Sequence, residues 1–171
     1  ELQVTTNFSF LRGASHPAEL ALRAAALGQG AVGVSDRNSL AGVVRAHVTA
    51  KETGIRLVVG ARLDLADGTS LLAYPVDRAA YGRLSRLITL GRRRAPKGAC
   101  ELHWNDVLEY GEGLVFIALP APPRDAELAR IGALRAAFPG AVYLAGHNLR
   151  RGDDRRRLTR RAGLAARAGV P

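Results

Sequence analysis

Short apolar runs alternate with amphipathic helical patterns along almost the entire chain, and this alternation constrains the fold more than any other feature of the sequence. Leu2 to Thr6 reads as a strand, and Asn7 to Ser15 as a polar and aromatic loop. Pro17 stands where a first helical residue belongs, and the helix it opens runs to Leu27, closed by Gly28 and Gly30. Ala31 to Ser35 is a buried-type strand ending in Asp36-Arg37-Asn38, before a helix from Ser39 to Thr53 stopped by Gly54. Arg56 to Leu65 and Ser70 to Tyr74 are strands joined by the hairpin signal Ala66-Asp67-Gly68. Asp77 to Gly91 is amphipathic, with Tyr81, Leu84, Leu87 and Ile88 on one face. Arg92 to Gly98 reads as a loop and Trp104 to Tyr110 as a short helix. Leu114 to Leu119 is a strand, Pro120 to Pro123 a connector, and Asp125 to Phe138 a helix. Ala141 to Ala145 is the next strand and Asp153 to Ala168 the last helix.

Repeated strand–helix units predict an α/β fold with a mostly parallel sheet, either open or closed as a barrel. Sites in such folds lie at the C-terminal ends of strands, which directs attention to Thr5–Phe8, Asp36–Asn38, Gly60–Arg62 and Gly146–Asn148. The chain has 171 residues, the size of one domain, yet contains no methionine and ends in Ala168-Gly169-Val170-Pro171, which reads as the approach to another strand. It is therefore expected to be a piece of something longer.

Composition narrows the chemistry. The single cysteine, Cys100, excludes an internal disulfide framework and a cysteine-rich zinc site. No apolar run reaches the length of a membrane span, and the expected setting is cytoplasmic. Lysine and arginine total 25 against 15 acidic residues, and only Lys51 and Lys97 are lysine. A net charge of +10 fits either nucleic-acid contact or an arginine-rich compositional habit. Arg92, Arg93, Arg94 and Lys97 form one basic tract that could touch phosphates, and seven arginines between Arg150 and Arg161 form another. A solvated face is the competing reading of both.

Catalytic signatures are sparse. His16, His47, His103 and His147 show neither His-x-His nor His-x-x-x-His spacing; His147, which follows a strand, has the best position for a ligand. No phosphate-binding glycine loop or nucleophile elbow is present. Asp36, closing a buried strand, is either a ligand-binding carboxylate or a cap that stabilises its own loop.

Several separated segments do carry a resemblance. Thr6-Asn7-Phe8-Ser9-Phe10-Leu11-Arg12-Gly13-Ala14 resembles the first motif of the PHP (polymerase and histidinol phosphatase) domain of bacterial C-family DNA polymerases, the DNA polymerase III alpha-subunit type. Val34-Ser35-Asp36-Arg37-Asn38-Ser39-Leu40-Ala41-Gly42 is similar to its second motif, and Ala50 to Arg62 to its third. The wording resembles the accessory error-prone branch. The resemblance implies a distorted (β/α) barrel of mostly parallel strands. Residues 1–171 would be its N-terminal part, incomplete at the C-terminus and without the polymerase palm and fingers.

The family's metal-binding members have His-x-His where Gln3 and Thr5 stand, a histidine at Arg37 and a glutamate at Arg62; of these ligand positions only Asp36 keeps its type. Replacing a carboxylate by a guanidinium puts a permanent cation where a dication would sit. The expectation is a degenerate, metal-free site formed by Gln3, Thr5, Asp36, Arg37 and Arg62, with Asp36 paired to an arginine. The resemblance further implies a parent DNA polymerase acting in damage-induced mutagenesis and translesion synthesis. That parent would use Mg2+, DNA and deoxynucleotides, with a sliding clamp and other mutagenesis proteins as partners. Here the segment would be a non-catalytic scaffold. The rival functions are an active metal-dependent phosphoesterase or 3′–5′ exonuclease, and a stand-alone basic nucleic-acid-binding module.

Overall fold

A computed structural model describes residues 1–120 and 124–171; residues 121–123 of the expected connector lie outside the described residues. The elements in order are α1 (Pro17–Ala26), β1 (Ala31–Arg37), α2 (Val43–Thr53), β2 (Arg56–Asp64), β3 (Ser70–Pro75), α3 (Arg78–Arg94), α4 (Trp104–Tyr110), β4 (Leu114–Ala118), α5 (Arg124–Ala137), β5 (Val142–Leu144) and α6 (Asp154–Ala168). One sheet carries the strands in sequence order, β1-β2-β3-β4-β5. The β1–β2 and β4–β5 pairs are parallel, and β3 is antiparallel to both its neighbours. Four strands therefore point one way, as the α/β expectation requires, and the Asp67–Gly68 hairpin supplies the single reversal.

Strand periodicity divides the apolar residues. Leu63, Leu71, Ala73 and Phe116 face the main core, where Leu84, Leu87, Leu102, Ile131 and Leu134 from the helices and loops pack against them. Leu72, Tyr74, Val58, Val115 and Ile117 occupy the other face. A third cluster, Ala24, Val32, Ala50 and Ile55, seals α1 and α2 onto β1. Burying side chains of this size contributes roughly 1.5–3 kcal/mol each, so the main core is the largest stabilising element.

Three expectations need correction. Leu2–Thr6 is not a strand; only Val4 bridges to Val34 of β1. The Gly33 N–H donates to Glu1 O, Val4 N–H to Gly33 O, and Ser35 N–H to Val4 O, but at Thr6 the backbone leaves the sheet to meet Asp36. Helix α2 begins at Val43 rather than Ser39, because Asn38 adopts a left-handed φ of 46° and Leu40–Gly42 form a turn. Helix α3 continues through Gly91 to Arg94, absorbing the first half of the expected basic loop. At Gly91 a Cβ would lie 2.6 Å from Leu102 Cδ2 and 2.8 Å from Cys100 Sγ, so its smallness serves packing. The helix ends at Ala95, which precedes Pro96 and is extended.

The N-terminal segment crosses Gly33 closely enough that a Cβ there would stand 2.9 Å from Leu2 Cα and Leu2 O. Gly33→Ala should therefore lower stability by about 1–3 kcal/mol, because backbone rather than a flexible side chain must move. Gly30→Ala, where nothing lies within 4 Å, should change it by less than about 0.5 kcal/mol. Urea denaturation of the two variants checks both values.

Candidate functional site

The ends of β1 and β2 and the loop after Val4 converge around Asp36, which is 1% exposed. Its Oδ1 accepts the Thr6 N–H at 2.8 Å and the Ser9 hydroxyl at 2.7 Å, and its Oδ2 accepts the Thr6 hydroxyl at 2.8 Å. Ser9 Oγ in turn accepts the Arg37 N–H at 2.9 Å. Gly42 presses against the same group: a Cβ there would approach Asp36 Oδ2 to 2.8 Å. Both oxygens are thus filled by neutral donors, and the carboxylate closes its own loop.

Asp36 has no arginine partner among the described residues, which overturns the expected pair. The physical reason is the pleat of the strands. Asp36 is registered with Ala61, whereas Arg37 is registered with Arg62, so the two arginines project from the opposite face. There they meet Asp64, two residues beyond Arg62 and on its side of the sheet. Arg62 Nε lies 2.8 Å from Asp64 Oδ1, and Arg37 Nε contacts Asp64 Oδ2. Ser70 donates its hydroxyl to Asp64 Oδ1 at 2.6 Å, and Arg62 Nη2 donates to Ser70 Oγ at 3.1 Å. Burial pushes the Asp64 carboxyl up, but the Ser70 hydroxyl together with Arg62 and Arg37 outweighs it and holds the group below its usual value.

Two more segments meet this face. His147, after β5, places Nε2 3.0 Å from Gln3 Oε1, so the neutral imidazole can donate to the amide oxygen. Burial, aided by Arg161 and Arg157, lowers the His147 pKa and favours that neutral form. Tyr74 of β3 donates its hydroxyl to Leu2 O, and burial pushes its phenol up to about 12. The central strand β3 and the segment after edge strand β5 are therefore both tied to the N-terminal segment, which itself bridges to β1 through Val4. Thr5 is half-buried and makes no side-chain hydrogen bond among the described residues.

Of the five positions expected to form one degenerate metal site, four are thus split between two centres and Thr5 joins neither. Gln3, Arg37 and Arg62 belong to the face of Asp64 and His147, while Asp36 belongs to the Thr6–Ser9 loop. No group of three or more His, Cys, Asp or Glu side chains spaced to hold a metal ion occurs among the described residues. Asp64 escaped the sequence reading because a lone aspartate before a hairpin gives no signal. Thr6 and Ser9 lie in the quoted first motif, but their hydrogen bonds to Asp36 span 30 and 27 residues.

The basic tract is also divided. Arg92 donates from Nε and Nη2 to Asn38 O at 3.1 and 2.8 Å, and Arg94 makes a two-pronged pair with Asp106 at 2.7 and 3.0 Å. All four cations of the tract are exposed, and Arg92 and Arg94 in addition hold contacts within the fold. His16 opens α1, its N–H donating to Glu19, and its ring meets Asn7 Nδ2.

A family model described as the PHP domain matches residues 1–155. The chain belongs to the PHP domain family. It is 52% identical over 171 residues to error-prone DNA polymerase 1 of Agrobacterium fabrum, covering 100% of the chain and 16% of that protein. It is 50% identical over 175 residues to the error-prone DNA polymerase of Caulobacter vibrioides, again covering 16% of that protein. The chain thus spans about a sixth of the length of these curated relatives. Among solved structures it resembles a protein assigned as a metal-dependent phosphoesterase from Bifidobacterium adolescentis, at a TM-score of 0.73, 18% identity and coverage of 99% of this chain and 84% of that one. An amidohydrolase from Chromobacterium violaceum, solved with sulfate and no metal, gives a TM-score of 0.66 at the same identity and coverage. At such identity these structures share the fold of this PHP domain.

Two outcomes follow from the geometry. Asp36→Ala strands a buried N–H and two hydroxyls and should lower stability by about 3 kcal/mol or more, with Ser9→Ala costing roughly 1.5–3 kcal/mol, both read by urea unfolding. For Asp64 the folded pKa is depressed, so its contribution is complete above the unfolded value of about 4 and is lost as pH falls through the lower folded value. Asp64→Asn should cost about 1–2 kcal/mol at neutral pH, discounted because both arginines are partly exposed. The gap to the unsubstituted chain should narrow as pH falls below about 4, the ordinary aspartate value, in an acid-unfolding series.

Proposed function

We propose that this chain is the N-terminal PHP domain of an error-prone DNA polymerase, and that within it the domain is a metal-free, non-catalytic scaffold. The polymerase assignment is supported by identity of 50–52% along the whole chain to proteins of that name. The scaffold reading is supported by one observation: Arg62, which by the family resemblance stands where metal-binding members have a glutamate, is paired with Asp64 and puts a permanent cation at that position.

The residues present do not fit a metal cluster. Gln3 and Thr5 offer no imidazole, Arg37 and Arg62 add two permanent cations, and the Asp36 oxygens are saturated by N–H and O–H donors. Such a set offers poor ligands for the metal that would activate water in a hydrolytic step, which supports the scaffold reading. The parent would bind DNA and deoxynucleotides, use Mg2+ in a palm domain outside this chain, and act in translesion synthesis and DNA repair in the cytoplasm. It would do so with a sliding clamp and other mutagenesis proteins.

Dialysis of the chain against manganese, zinc or iron followed by elemental analysis should leave less than about 0.1 equivalent of metal, and hydrolysis of bis-p-nitrophenyl phosphate should stay at background. Stoichiometric metal together with hydrolysis would restore the phosphoesterase reading. Primer extension should be absent from the isolated chain and present in the parent polypeptide.

A further inference from the structure

Helix α6 sorts its arginines by face. Arg157 lies 3.8 Å from Asp153, and Arg161 contacts Glu127 while its Nε donates to Ala145 O at 3.2 Å; both are half-buried. Asp154, the other acidic residue at the helix start, is buried and accepts the N–H groups of Leu149 and Arg151. The inward arginines and carboxylates therefore neutralise and anchor one another.

The outward face is different. Arg156, Arg160 and Arg167, with Gly163 between them, follow the i, i+4, i+7, i+11 spacing of one helical row, and all are exposed. Arg155 heads the adjacent exposed row, continued by Thr159, Ala162 and Ala166. Among the described residues none of these four arginines has a carboxylate within salt-bridge range. Four cations with no carboxylate in range among the described residues thus lie along about 18 Å of helix, facing a polyanion that carries one charge per about 1.7 Å of duplex axis.

We propose that this outward face of α6 binds the phosphodiester backbone of double-stranded nucleic acid without reading sequence. The other residues on the face decide between partners. Thr159, Ala162, Gly163 and Ala166 are small, so guanidinium groups can close on a phosphate ridge without obstruction. No leucine or aromatic residue is present to enter a lipid interface, to anchor in a protein pocket, or to stack on the bases of a single strand. This assignment stands on the helix alone and does not require the parent to be a polymerase.

Fluorescence anisotropy of the full 171-residue chain with a labelled random duplex of about 20 base pairs tests it between about 50 and 200 mM salt. The logarithm of the binding constant should fall against the logarithm of salt concentration with a slope of about −3 to −4. Arg156→Gln/Arg160→Gln/Arg167→Gln should make that slope shallower by about 3. Arg23→Gln/Arg56→Gln/Arg78→Gln, which removes the same charge from exposed positions elsewhere, should leave it unchanged, with circular dichroism verifying both folds. Absence of duplex binding at low salt, an equal loss in the two variants, or tighter binding to polyglutamate or to a single strand of the same length would overturn the proposal.

Discussion

The Asp36 carboxylate organises everything around the ends of the first strands. A charged group that is 1% exposed must have its lone pairs met, and here they are met by Thr6 and Ser9, about 30 residues earlier in the chain. That requirement lifts the backbone off the sheet at Thr6 and confines the first segment to a single bridge. It also sets the turn that carries Ser9 under Arg37. Gly42 completes the arrangement by allowing the start of α2 to approach the carboxylate closely.

A second centre, on the opposite face, keeps the cationic character of β1 and β2 from being left uncompensated. Asp64 receives both Arg37 and Arg62, and Asn38 links the same strands: its N–H donates to Arg62 O, while its side-chain oxygen accepts the Asp64 N–H at 3.0 Å. Arg92 reaches over from α3 to Asn38 O. Part of the positive charge is thus consumed internally, as charge-assisted contacts that secure strand ends and helix termini. Among the described residues such compensation does not reach the outer face of α6.

The fold was largely legible in the sequence because it rests on local chemistry. Pro17 at a helix start, Gly54 with a left-handed φ of 74° at a helix end, the Asp67–Gly68 hairpin and the period-two pattern of Leu71 to Tyr74 all act over a few residues. The elements misjudged were those whose boundaries depend on distant partners. Arg92–Arg94 looked like a loop because the partners that engage them in the helix, Asn38 and Asp106, are distant in sequence, as are Cys100 and Leu102, against which Gly91 packs.

The candidate site shows the same division. The sequence pointed to an α/β PHP domain, and its family resemblance implied that Gln3, Thr5, Arg37 and Arg62 stand in place of imidazole and carboxylate ligands, with Asp36 the one ligand-type residue among them. Tertiary structure decided what those residues do. Adjacent residues on a strand face opposite ways, so Asp36 and Arg37 could not share one centre, and strand register then brought both arginines onto Asp64. Likewise the helical period separated the arginines of α6 into a neutralised inner set and a bare outer row, a distinction that net charge does not contain.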